Sequence, residues 1–131
     1  MPLEGVVHAL ERLHTAVTRG GTVIDTQPIG PRPTVTASGI RLGMLDCREW
    51  REIVAAFDAE ILRTVERGLF IIVDERCISV KDQWDNGDEC VDDVRSWRGT
   101  RISQTLARRI ASANPPITVA QTVRLRMLRA R

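Results

Sequence analysis

Leu3, Val6, Val7, Leu10, Leu13 and Val17 recur at spacings of three and four residues, the pattern of an amphipathic helix with one apolar face. Arg19-Gly20-Gly21 ends that helix, because glycine adopts the left-handed conformation at a helix C-terminus without steric cost. A strand is predicted over Thr22–Gln27, with Val23 and Ile24 at its centre. Pro28, Gly30, Pro31 and Pro33 are expected to break it into a loop, since proline cannot donate to a ladder. Two short extended pieces follow, Thr34–Thr36 and 40–45, the second alternating Ile40, Leu42 and Met44 with Arg41 and Gly43.

The longest helix is predicted over 47–67. Asp46 and Glu49 have the spacing of an N-cap and its N3 carboxylate. Trp50, Ile53, Val54, Phe57, Ile61 and Val65 form its apolar stripe, and Gly68 closes it. The run Leu69-Phe70-Ile71-Ile72-Val73 opens a strand over 69–80 that is covered at first and then emerges toward solvent. Asp85-Asn86-Gly87-Asp88 reads as a turn capping a short helix that carries Val91, Val94 and Trp97. Gly99 separates this from a further helix bearing Ile102, Leu106 and Ile110, which Asn114-Pro115-Pro116 stops. Over 117–129 the residues alternate, with Ile117, Val119, Val123, Leu125 and Met127 on the face expected to be buried. Thr118, Thr122, Arg124 and Arg126 fall on the other face.

These elements make one α+β domain over 1–131, a small mixed sheet of about three to five strands with helices packed on it. The length of 131 residues suits one domain. No apolar run reaches the roughly 20 residues that span a bilayer, and the first residues lack a signal pattern. A cytoplasmic protein without membrane contact is expected. Cys47, Cys77 and Cys90 form no CxxC pair, so reduced thiols are expected rather than disulfides or zinc. Charge changes the picture more. From Arg95 onward there are nine arginines and no acid, whereas the preceding residues hold all 17 acids of the chain. Such segregation predicts complementary surfaces, within one chain or between two.

The order of helix, Gly-Gly turn, strand, long helix and two further strands resembles the C-terminal half of class I S-adenosylmethionine-dependent methyltransferases. The resemblance is carried by Val17-Thr18-Arg19-Gly20-Gly21-Thr22-Val23-Ile24-Asp25, and by the elements 47–67, 69–80 and 117–129. It covers residues 3–129 and implies an α/β-like half-fold. In that family the first half holds the cofactor in a glycine-rich loop after a strand. Here Gly20-Gly21 and Gly30 are not placed between a strand and a helix N-terminus, so no cofactor is expected. The resemblance further implies that the strand at 22–27 lacks its neighbour. Segments 34–36 and 40–45 would then cover its edge, or a second copy would.

The acidic run Asp82, Asp85, Asp88, Glu89, Asp92 and Asp93 lacks the spacing of an EF-hand loop, so no metal is expected; helix N-terminal acids explain it. His8 and His14 lie on different faces of the first helix, which disfavours a base for a cysteine nucleophile, and no catalytic residue is assigned. Asp25, Gln27 and the segment Pro28–Pro33 follow the end of a strand, where α/β sheets bind small molecules. Trp84 could line such a pocket, while Trp50 and Trp97 are expected in the core. Arg98, Arg101, Arg108, Arg109, Arg124 and Arg126 are candidates for contact with a protein partner or with nucleic acid. The function expected from all this is a non-catalytic partner-binding or homodimeric assembly module. The alternatives are a methyltransferase-like subunit completed by another chain, or a nucleic-acid binder using the arginine-rich third.

Overall fold

A computed structural model describes residues 3–131. The side chains of residues 3–8 and of Pro31 lie outside that description, and with them Leu3, Val6 and Val7 of the first apolar stripe, and His8. Met1 and Pro2 lie outside it altogether. The elements in chain order are α1 (Leu3–Ala16), β1 (Thr22–Ala37), β2 (Ile40–Met44), α2 (Arg48–Glu66), β3 (Phe70–Trp84), α3 (Gly87–Ser96), α4 (Gln104–Ser112) and β4 (Ile117–Ala130). The strands form one sheet in the order β2-β1-β4-β3. The α+β class is as expected from the sequence.

The sheet is antiparallel rather than mixed. β2 returns along β1 with Thr34 opposite Met44 and Ala37 opposite Ile40. Hydrogen bonds from Gly20 N to Ala130 O, and from Ser38 N to Pro116 O, tie the start of β1 to the end of β4 and its end to β4's start. Arg131 N donates to Leu69 O, which sets β3 antiparallel to β4 in the same way. Only β1 and β2 are joined by a hairpin; β4 reaches its place between β1 and β3 after the long connection that carries α3 and α4.

A second correction concerns β1. The strand does not stop at Pro28; it runs through Pro28, Pro31 and Pro33 to Ala37. β2 reaches only as far as Thr34, so among the described residues no strand lies on that flank from Thr22 to Pro33. A missing N–H costs little where no ladder partner awaits it. The carbonyls on this stretch are used instead: Pro28 O accepts from Trp50 Nε1 at 3.0 Å, and Pro33 O from Leu45 N at 3.0 Å.

The chain's contacts gather into two compact units. The first comprises the chain up to Gln27 with Glu52–Ile78 and Val123–Arg131. Its core is Leu10, Ile61, Phe70, Leu128 and Ala130, with Val17, Val23, Phe57, Leu69 and Ile72 packed on it. Burying each such large side chain contributes roughly 1.5–3 kcal/mol. At the turn before β1, Gly20 has φ +81° and a Cβ on Gly21 would lie 2.3 Å from Val17 Cγ1. Both glycines are therefore required by the backbone path.

The second unit comprises Pro28–Arg51 and Ser79–Thr122. Val35, Leu45, Cys90, Val94, Ile110, Ile117 and Val119 are its buried centre. Of its two short helices, α3 is capped within the turn the sequence marks, and α4 by Ser103. Asn86 Oδ1 accepts from Asp88 N and Glu89 N, and Ser103 Oγ from Leu106 N.

β4 departs from the expected alternation. Within the second unit the odd positions Ile117 and Val119 are buried. Within the first, Val123 is buried as expected, but beyond it Arg126, Leu128 and Ala130 are buried while Met127 is exposed. The two ends of the strand serve different cores, and each core selects its own residues. A single hydrophobic alternation read along the chain cannot express that change.

Candidate functional site

The second unit contains a pocket of about 430 Å³, within the range usual for small-molecule sites. One wall is the proline-bearing stretch of β1: Pro28, Ile29, Gly30, Arg32 and Pro33. Cys47, Trp50 and Arg51 come from the start of α2 and the residue before it. Trp97, Arg98 and Thr100 come from the connection between α3 and α4, Asp82 from β3 and Gln121 from β4.

Each wall is fixed by local chemistry. Proline presets its own φ, so three prolines in six residues hold the β1 wall extended and short of donors. Trp50 is anchored by its indole N–H on Pro28 O. Gly99 lets the α3–α4 connection approach α2. It has φ +70°, a Cβ there would stand 2.7 Å from Trp50 N, and its carbonyl accepts from Trp50 N at 3.1 Å. Asp46 and Arg101 exchange backbone hydrogen bonds of 2.9 and 2.7 Å, which close the same connection against the start of α2. Asp46 also accepts from Arg48 through both side chain and backbone. Those hydrogen bonds, the side-chain ones foremost, hold its carboxyl at about 2, below the usual 3.8. The expected partner at the N3 position, Glu49, instead lies 4.0 Å from Arg101.

The polar groups of the pocket divide into occupied and open. Arg32 Nε donates to Leu45 O at 2.9 Å, and Cys47 Sγ lies 3.7 Å from Thr100 Oγ1. Arg51, Arg98 and Asp82 line the pocket, and no ion pair or hydrogen bond occupies their side chains among the described residues. Three arginines and one aspartate thus contribute to a lining that is otherwise largely apolar.

Of the residues considered from sequence, Arg98, most of the stretch Pro28–Pro33, Cys47 and Asp82 of the acidic run fall on this pocket. Trp84 does not. Its ring lies 6.2 Å from that of Trp97, and its N–H donates to Asp93 Oδ2 at 2.6 Å. Asp25 and Gln27 belong to the first unit, where Gln27 donates to Asp25 and Asp25 accepts two bonds from Arg126, at 3.0 and 2.8 Å. Arg126 also donates to Asp58 at 2.5 Å, as does Arg124 at 2.6 Å. Burial pulls the Arg126 pKa down, but the hydrogen bonds to Asp25 and Asp58 outweigh it and the net direction is upward. Arg124 and Arg126 are therefore engaged inside the first unit. Arg101 and Arg109 sit at the surface of the second, Arg109 donating to Leu42 O, and Arg108 is exposed.

Trp50, Trp97, Arg32, Arg51, Asp82 and Gln121 were not singled out as site residues by sequence reasoning. Their positions are scattered over five elements and connections, and no spacing links them. The proline cluster was the only local signal that pointed to this wall. Among the described residues no helix is long and apolar enough to cross a membrane. No protein-family model, curated protein or solved structure matches the chain.

Proposed function

We propose that the chain is a non-catalytic binding module that holds a small molecule in the pocket of its second unit. The observation that carries this reading is the pocket itself: two tryptophan rings and a proline-stiffened strand around about 430 Å³, with a few open polar groups. That combination of apolar wall and sparse polar contact is what ligand sites generally offer. Trp50 and Trp97 supply the test. A ligand seated there changes tryptophan emission in a saturable way and raises Tm, because binding to the folded state alone stabilises it. Screening a chemically varied set of small molecules without either response would end the proposal.

A second reading is supported by the flank of β1 that no strand covers between Thr22 and Pro33. Together with the antiparallel pair β3 and β4 after α2, it agrees with the resemblance to half a methyltransferase fold, in which a neighbouring strand comes from another chain or a second copy. On that reading the isolated chain self-associates through this flank. Sedimentation equilibrium at rising concentration measures it; a strictly monomeric mass argues for the pocket alone. S-adenosylmethionine should leave the Tm of the monomer unchanged and raise it only in a completed assembly.

A further inference from the structure

We infer that the occupant of the pocket is a planar aromatic compound bearing an acidic group, an inference that rests on the binding role proposed above. Trp50 and Trp97 present two indoles to one cavity, and flat aromatic surfaces stack on or against such rings at little conformational cost. The charge of the walls selects the rest. Arg32, Arg51 and Arg98 bring three guanidinium groups against the single carboxylate of Asp82.

Arg32 already spends its Nε on Leu45 O. Arg51 and Arg98 are the free pair, one from the first turn of α2 and one from the α3–α4 connection, and both lack a protein partner among the described residues. Guanidinium forks match carboxylate, sulfonate and phosphate oxygens with two parallel N–H bonds, and they do so better than ammonium groups. A cationic ligand would meet three like charges, and a neutral one would leave the two exposed guanidiniums hydrated and gain nothing from them. Asp82 and Gln121 remain to accept from a hydroxyl or amino substituent on the ring.

The experiment uses two probes with the same ring framework, 1-anilinonaphthalene-8-sulfonate and uncharged N-phenyl-1-naphthylamine, titrated into the full chain. The sulfonate is expected to bind with one-to-one stoichiometry and about tenfold or more tighter than the uncharged probe, and to weaken as salt is added. The double variant R51Q/R98Q changes exposed side chains that hold no partner, so folding should be preserved, as near-ultraviolet circular dichroism can verify. In that variant the sulfonate should lose about tenfold in affinity while the uncharged probe is unchanged. Equal affinity for both probes, or indifference of the sulfonate to the double variant, overturns the anion inference and leaves the binding role standing. No saturable binding of either probe overturns both.

Discussion

Arg126 is the residue on which the first unit's polar interior turns. Its side chain is 5% exposed and donates to two carboxylates, Asp25 and Asp58. Arg126→Met would leave the buried Asp25 carboxylate without its counter-charge, a loss that usually costs about 3–5 kcal/mol. Urea unfolding should show that drop in stability; a change of less than about 1 kcal/mol would mean that water already screens the pair. Alternation alone assigned Arg126 to solvent, because the sequence has no way to announce an aspartate 101 residues away. Asp46 is legible by contrast, since its partner Arg48 is two residues on. Its folded pKa of about 2 lies below 3.8, so the folded state binds fewer protons in that interval. The stability it contributes is complete above the unfolded value and is lost as pH falls from about 4 towards about 2. Asp46→Asn should therefore lower the urea midpoint near neutral pH, with the deficit closing over that acid range. A deficit of the same size at both ends would rule out this origin.

Local chemistry places the individual elements, although Trp97 and Ile102, expected on α3 and α4, fall in the connection between them. α3 and α4 start at Asn86 and Ser103, each of which accepts from backbone N–H groups of the first turn. Asn86→Ala should cost about 1 kcal/mol and Asn86→Gly only a few tenths, because glycine keeps the backbone conformation while losing the acceptor. Thermal denaturation of the pair would check this; equal losses would show that the backbone angle matters less than the hydrogen bonds from Asp88 and Glu89, which both variants lose. β1 was misread for an equally definite reason. Proline rules assume a strand with ladder partners on both sides, and from Thr22 to Pro33 this one has a partner on one side only among the described residues. Whether a flank is open depends on the length of β2, which is a property of the sheet and not of the prolines.

At the scale of the molecule, class and element order were within reach of the sequence, while the division of contacts was not. Three strands contribute to both units, so composition shows no linker, and a hydrophobic pattern read as one stripe merges two cores. The pocket was harder still. Its walls come from positions between Pro28 and Gln121, and only folding brings Arg51 beside Arg98 on one cavity. Charge segregation was visible in the sequence. It resolves into the pairing of Arg124 and Arg126 with Asp25 and Asp58 inside the first unit, and into open guanidiniums in the second.

The proline spacing of β1 also bears on how the protein behaves at high concentration. A stranger's strand laid beside Thr22 would find the ladder broken from Pro31 onward, because Pro31 and Pro33 share the flank that β2 leaves open and offer it no donors. Any intermolecular ladder there is short and of fixed length, unable to creep along the chain and seed fibres. Replacing both prolines by alanine should remove this stop and make concentrated solutions scatter light on standing, whereas the native sequence stays clear. If the double variant remained as clear as the parent, the prolines would owe their place to the pocket wall alone.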